Sequence, residues 1–271
     1  MSNRAQKHDF YSKNISVGYD DKLIINDLDI TIPEGKFSVI IGPNGCGKST
    51  LLKSFARLLK PTKGNVLLDG KSIYEIPTLS LAKQIGLLPQ SPLVPSGITV
   101  ADLVSRGRFP YQNFLGQLTK ADYKAISEAM EAMGILDLAD VPVDSLSGGQ
   151  RQRVWIALVL AQDTDILLLD EPTTYLDIAY QVEILDCLEK LNKIKKTTVV
   201  AILHDINLSI RYADHIFAMK GGQLIAEGAP SDVITTDLMR EIYGLECSII
   251  TDPETMDPYV IPRSSALRVA C

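Results

Sequence analysis

Three short runs of the chain are apolar without alternation: FSVII (Phe37–Ile41), DILLLD (165–170) and TTVVAIL (197–203). An unbroken run of this length predicts a strand buried on both faces, as in a parallel sheet. Between these runs, apolar residues recur at helical spacing. Leu51, Leu52, Phe55, Leu58 and Leu59 share one face of a helix that Pro61 should end, and Ile184, Leu185, Leu188 and Leu191 share another. Strand and helix signals in alternation predict an α/β fold with right-handed crossovers.

Two regions depart from that rhythm. Residues 10–36 carry short β patterns punctuated by Gly18, Asp20-Asp21 and Pro33-Glu34-Gly35, which predicts an antiparallel layer beside the main sheet. Residues 91–162 are mainly helical and fall between two core strands, as an inserted helical subdomain would. Within them, Thr119-Lys120-Ala121-Asp122 fits a capping box, and Ile126, Ala129, Met130 and Met133 follow on one face. Gly221-Gly222 between HIFAMK and QLIAEG reads as a hairpin turn, and the tail after Gly244 is β-like.

The composition narrows the class. The 271 residues are 46% apolar and 22% charged, with net charge −6. A pI near 5.2 argues against a general nucleic-acid binder, which would carry a basic stripe. Cys46, Cys187, Cys247 and Cys271 lie far apart, which points to a reducing compartment with neither a disulfide frame nor a zinc site. The polar start MSNRAQKHDFYSK has no signal-peptide core, and no apolar run approaches the ~20 residues of a membrane span. The expectation is a cytosolic protein whose membrane role, if any, comes through a partner.

The chemistry begins with GPNGCGKST at residues 42–50, between a strand pattern and a helix pattern. Glycines let backbone N–H groups wrap phosphates, Lys48 adds a point charge, and the Ser49 hydroxyl suits Mg²⁺. DILLLDEP supplies acids at a strand's C-terminal end: Asp170 for the metal shell and Glu171 to orient or deprotonate a water. Gln90 fits either a metal or water contact or an ordinary loop. His204 ends a core strand on the same sheet edge as Glu171, where a structural role is also open. Tyr19 either stacks an adenine or fills the β layer, and Asp177 is also readable as a plain helix cap. LSGGQRQR (146–153) is a second anion site: a serine-capped helix start with exposed glycines, favoured by free N–H groups and the helix dipole.

In this order the motifs resemble the ATP-binding subunit of ABC transporters over residues 8–245. Tyr19 matches the aromatic loop, residues 42–50 Walker A, Gln90 the Q-loop and LSGGQRQR the signature. DILLLDEP matches Walker B with its catalytic glutamate, TTYLD the D-loop, and His204 the switch histidine. The resemblance implies a P-loop NTPase (ABC ATPase) fold. A RecA-like α/β core and β layer would span 8–90 and 163–245, a helical subdomain 91–162, and a short extension 246–271, too short for a regulatory domain. It implies ATP and Mg²⁺ as cofactors. ATP contacts would come from Tyr19, Gly42, Pro43, Asn44, Gly45, Cys46, Gly47, Lys48, Ser49, Thr50, Ser147, Gly148, Gly149, Gln150 and Asp177. Ser49, Gln90 and Asp170 would serve the metal, and Glu171, His204 and Gln90 catalysis.

By the same resemblance two copies pair head to tail, each ATP lying between one Walker A and the other copy's signature. Two-sided phosphate contact makes ATP the glue of a homodimer. GPNGCGKST, SRGRFPYQ, WIALVLAQ and DEPTTYLDIAYQVEIL resemble more narrowly the ATPases of bacterial importers for iron–siderophore complexes, a class shared with haem and cobalamin uptake. There the ATPases sit at the cytoplasmic face of the membrane under integral-membrane permease subunits, and an extracytoplasmic binding protein delivers substrate; no nucleic acid is involved. Tyr180 departs from that pattern, where a histidine is expected. The permease groove is expected near residues 91–115, with Arg106, Arg108, Phe109 and Tyr111 as contacts. Non-transport members carry coiled-coil insertions, tandem cassettes or basic surfaces, and this chain shows one cassette and an acidic balance. A pure nucleotide-binding module would not need both Glu171 and His204.

Overall fold

The computed structural model describes residues 7–20, 22–90, 97–112, 116–174 and 176–263. Asp21 of the predicted turn, residues 91–96 and 113–115 of the loop-rich stretch, Tyr175 of TTYLD, and Cys271 lie outside the described residues.

A six-stranded sheet forms the centre. It contains β3 (Phe37–Ile41), β6 (Ile85–Leu88), β7 (Ile166–Asp170), β8 (Thr198–Ile202), β9 (His215–Lys220) and β10 (Gln223–Gly228), in the order β10-β9-β3-β8-β7-β6. All neighbours are parallel except the β9–β10 hairpin. The three unbroken apolar runs are its central strands, and every residue of β3, β7 and β8 is buried. Alternation across each strand divides them between two cores. Val39, Leu167, Leu169, Val199 and Ala201 face one core; Ile40, Leu168, Val200 and Ile202 face the other.

The second core is covered by an antiparallel sheet in the order β2-β1-β4-β5. Its strands are β1 (Phe10–Tyr19), β2 (Lys22–Ile32), β4 (Lys63–Leu68) and β5 (Lys71–Ser72). This is the antiparallel layer predicted from residues 10–36, with β4 and β5 added. The helix α1 (Lys48–Phe55) lies in the same core through Leu51, Leu52 and Phe55. It stops earlier than Pro61. Arg57 takes a left-handed backbone (φ 60°), and the Arg57 and Leu58 N–H groups donate to Ser54 and Lys53 carbonyls, a Schellman closure. The strain of a non-glycine there is offset by its guanidinium, which bonds the Ile73 and Ile76 carbonyls and the Thr78 hydroxyl. Leu58 is therefore exposed instead of continuing the apolar face.

The first core joins the sheet to a helical layer. Short α2 (Thr78–Ala82) precedes β6; α3 (Val100–Ser105), a 3-10 segment (Arg106–Tyr111), α4 (Lys120–Ala132) and α5 (Gly148–Ala161) follow it. The predicted capping box forms: the Thr119 side chain accepts from the Asp122 N–H, and Asp122 answers to the Thr119 N–H. Ile126, Ala129, Met130 and Met133 are all buried, as their spacing predicts.

After β7, α6 (Ile178–Lys195) leads to β8, and α7 (Ile206–Tyr212) leads to the β9–β10 hairpin, which turns at Gly221-Gly222. A Cβ at Gly222 would lie 1.8 Å from the Ile24 carbonyl oxygen, so glycine is required there. Then come α8 (Pro230–Val233), α9 (Thr236–Tyr243) and a terminal hairpin of β11 (Cys247–Thr251) and β12 (Pro258–Pro262). The Asn207 amide on α7 binds both the carbonyl (3.2 Å) and the N–H (2.8 Å) of Val260, fixing that hairpin to the body.

Candidate functional site

Strand β3 ends at Ile41 and α1 begins at Lys48, so residues 42–47 form the turn between them. Gly42 has φ 148°, and a Cβ there would stand 2.2 Å from the Met219 carbonyl oxygen, so only glycine lets the chain pass. Pro43 is half-buried, Asn44 and Gly45 are exposed, and Cys46 and Gly47 are buried beneath them. The buried Lys48 ammonium folds back over the turn, donating to the Gly42 (2.7 Å) and Pro43 (3.0 Å) carbonyls. The Gly222 N–H donates to the Cys46 carbonyl at 2.9 Å, so the β9–β10 turn props the loop. Burial pushes the Cys46 thiol up, and it stays neutral.

The neighbouring strand ends supply the polar groups. Ser49, on α1, donates its hydroxyl to Asp170 Oδ1 at 2.9 Å. Burial pushes the Asp170 carboxyl up; the Ser49 hydrogen bond and the Lys53 and Lys48 charges pull against it, while Glu171 adds to the rise. Glu171 sits in a left-handed backbone (φ 56°), the kind of sparsely populated conformation that gathers at functional sites. Its Oε1 is 2.8 Å from His204 Nε2, and its Oε2 accepts from the Thr174 hydroxyl at 3.1 Å. Burial alone would raise the Glu171 carboxyl, but hydrogen bonds from His204 and Gln90 outweigh it and hold it below the ordinary glutamate range. Glu171 is thus an ionised acceptor.

These groups meet in one cleft of about 470 Å³, lined by Tyr19, Ile24, Asn44, Gly45, Gly47, Lys48, Ser49, Thr50, Gln90, Glu171 and His204. That volume suits a nucleotide-sized ligand. Tyr19 is 44% exposed at its edge, so it does not fill the β layer. His204 faces Glu171, as its strand-end position predicts.

The serine-capped helix start predicted at LSGGQRQR forms, and it lies apart from this cleft. Ser147 caps α5: its Oγ accepts from the Gln150 N–H (3.2 Å), and its own N–H donates to Gln150 Oε1 (3.1 Å). A Cβ at Gly148 would meet no atom within 4 Å, so this helix start faces open space. Ser147, Gly149 and Gln150 line a separate depression with Arg153 and Tyr180. Asp177 is exposed at the N-cap position of α6, but its side chain makes no capping hydrogen bond, so the plain-cap reading fails. The two sites are not brought together within one chain.

The proposed contacts of residues 106–111 divide. Arg106 and Phe109 are exposed, the latter 67%. Arg108 is 7% exposed and faces inward. Its Nε donates to Asp122 Oδ1 (2.8 Å) and its Nη1 to the Ala161 carbonyl (2.9 Å), while its guanidinium lies 3.8 Å from the Tyr111 ring centre. Arg108 and Tyr111 are therefore packing residues that hold Phe109 outward. A strand-helix pattern does not reveal such an inward arginine.

Sequence reasoning also missed Thr174, although its hydroxyl follows DEP directly. It missed Gln152, whose amide donates to the Pro172 carbonyl at 2.8 Å and ties the α5 start to the Glu171 turn. It missed Tyr243, whose hydroxyl accepts from the Gly42 N–H at 2.9 Å; no motif signals it.

The family profile described as ABC transporter matches residues 25–174. The chain is 51% identical over 251 residues to the achromobactin transport ATP-binding protein CbrD of Dickeya dadantii, covering 93% of each. It is 49% identical over 250 residues to the ferric enterobactin transport ATP-binding protein FepC of Escherichia coli, covering 92% of each. Among solved structures, it resembles the dimeric post-hydrolysis state of the ATP-binding cassette MJ0796 bound to ADP and Pi. The TM-score there is 0.73 at 30% identity, covering 81% of this chain and 98% of that one.

Proposed function

The chain belongs to the ABC transporter family of ATP-binding, ATP-hydrolysing cassettes, and from that membership we propose that it powers import of iron(III)–siderophore complexes. The import reading is supported by the relatives' named roles, and its ATP-driven part most by the single cleft that the Lys48 loop, Ser49 (bonded to Asp170) and the Glu171–His204 pair line. The glycine loop and Lys48 take the triphosphate, with Tyr19 at the rim beside the base. Lys48 exchanges its two carbonyl partners for phosphate oxygens. Glu171, ionised and oriented by His204 and Thr174, accepts the proton of the attacking water, and Gln90 holds that water or the metal.

Ser49 and Asp170 fit Mg²⁺. Their hard oxygens, 2.9 Å apart at the loop's end, are donors of the kind Mg²⁺ takes and would hold the ion there. When bound, the ion neutralises charge on the phosphates. Among the described residues no larger cluster of His, Cys, Asp and Glu offers a full protein cage.

Ser147, Gly148, Gly149 and Gln150, with Asp177, close over the ATP of a second copy, so the working unit is a homodimer. Among the described residues no helix is long and apolar enough to cross a membrane. The chain works at the cytoplasmic face beneath permease subunits, with the extracytoplasmic binding protein acting only through them. Residues 91–162 are the helical subdomain, and its exposed Arg106 and Phe109 meet the permease. The test is uptake of labelled ferric siderophore in cells lacking this chain. Uptake should vanish and return with the wild-type protein; loss of haem or cobalamin uptake alone would overturn the siderophore reading.

A further inference from the structure

The phosphate loop has an anchor that lies outside its own motif. Strand β3 pairs with β9 as far as Ile41↔Ala218. The Gly42 N–H lies just past that ladder, and a buried backbone donor needs a partner. The partner is a side chain, the Tyr243 hydroxyl, at 2.9 Å. On its other side the Gly42 carbonyl accepts from Lys48 Nζ at 2.7 Å. One residue is thus gripped at its N–H by α9 and at its carbonyl by the cleft's own lysine.

We propose that Tyr243 is a positioning residue for the phosphate loop, setting the orientation of Gly42 and through it the position of Lys48. The hydroxyl is delivered by a fixed platform. Tyr243 is the last residue of α9, whose Leu238, Met239 and Ile242 are buried in the core. Lys220, at the end of β9, donates to the Glu241 carbonyl at 2.7 Å. Although the residue is 38% exposed overall, burial at its hydroxyl pushes the pKa up to about 12, so the phenol stays neutral through the working range. The backbone of Gly42 passes close to the Met219 carbonyl and the Cys46 sulfur, where any side chain would strike them. Without the hydroxyl, the Gly42 N–H is orphaned and the carbonyl that orients Lys48 is free to turn.

This inference rests on the nucleotide reading of the cleft, and the experiment separates the two. ATP affinity, steady-state kcat and KM, and the melting temperature without nucleotide are measured on the full chain as wild type, Tyr243→Phe and Tyr74→Phe. Tyr74 is the control: its hydroxyl bonds the Leu59 carbonyl at 3.0 Å and is not among the residues lining the cleft. Tyr243→Phe should bind ATP about 3- to 10-fold more weakly, the factor one net hydrogen bond supplies. KM should rise in step, kcat should stay within about twofold, and the nucleotide-free melting temperature should fall by no more than a few degrees, the cost of one orphaned buried N–H. Tyr74→Phe should leave ATP affinity unchanged. Equal ATP affinity in Tyr243→Phe and wild type overturns the proposal. So does a lower melting temperature with KM unaltered, or an equal affinity loss in both variants. Failure of the wild type to bind ATP would instead overturn the nucleotide reading itself.

Discussion

Replacing Glu171 with Gln isolates its proposed role as base, because almost nothing else about the site need change. The glutamine is the same length. Its carbonyl oxygen can take the place of Oε1, 2.8 Å from His204 Nε2. Its NH₂ then faces Thr174 Oγ1, now 3.1 Å from Oε2, and that hydroxyl can rotate to accept. At most one hydrogen bond to Gln90 is lost, worth about 0.5–1.5 kcal/mol. Removing the charge also relieves Asp170, whose carboxyl Glu171 helps to push up. Fold and ATP affinity should therefore hold. The chemical step should not: a positioned general base contributes about 10²–10⁴-fold, or ~2.7–5.5 kcal/mol of barrier. Phosphate release at saturating Mg–ATP should fall by that factor. ATP binding should stay within about threefold, the size of one weak hydrogen bond, and an ATP-bound dimer should persist on gel filtration. Turnover within about tenfold of wild type, a smaller loss than any positioned base would leave, would refute the assignment.

The other expectations are structural. Ser147→Glu puts a charge at the helix start that should receive a partner's phosphate, so ATP-dependent dimers should disappear from light scattering while monomer ATP binding remains; surviving dimers would refute the two-sided site. Arg108→Met strands Asp122, which is 2% exposed, as a buried unpaired charge. The loss should be about 3–5 kcal/mol by urea denaturation, and under ~1 kcal/mol the pair would not matter. Burial alone would raise the Asp122 carboxyl, but hydrogen bonds from Thr119 and Arg108 hold it below the usual range. A depressed pKa gives stability that is full above the unfolded value near ~3.9 and lost as pH falls through the native value. Asp122→Asn should therefore flatten the acid limb of stability below about pH 4; an unchanged limb would contradict this. A photo-crosslinker at Phe109 should capture the permease, whereas the same probe at Arg106 tests the width of that surface; no adduct from either would exclude it.

What the sequence made legible follows a physical division. Residues whose position is set by backbone geometry were readable. FSVII, DILLLD and TTVVAIL could be placed because burial on both faces leaves an unbroken apolar run, and strand ends then fix Asp170, Glu171 and His204 together. The Ser147 cap was readable because it satisfies its own helix. What stayed hidden depends on contacts between distant segments. Arg108 looked like a surface charge because its acceptors, Asp122 and the Ala161 carbonyl, lie 14 and 53 residues away. The early stop of α1 was hidden for the same reason. Arg57 tolerates a left-handed backbone only because Ile73, Ile76 and Thr78 receive its guanidinium. Tyr243 meets the phosphate loop 201 residues from Gly42, and no local pattern marks a tyrosine for that task.

The separation of the Lys48 cleft from the Ser147 helix start has a cause within the chain itself. Gln152, in the second turn of α5, bonds the Pro172 carbonyl beside Glu171, and Arg153 pairs with Glu183 on α6 at 2.7 Å. The start of α5 is therefore fixed beside the same Glu171 turn that lines the cleft, while Ser147 itself lines a different depression. Swinging that helix start into the cleft would break these ties and uncover the apolar face that Val154, Ile156 and Ala157 bury. On the proposed reading, a phosphate held by Lys48 lies apart from the depression that Ser147 lines, and a second copy would complete the site. Because Gln152 also contacts the turn that carries Glu171, the helix proposed to meet a partner's nucleotide is tied to the chain's own proposed base, and on that reading closure at one cleft would bear on the carboxylate of the other.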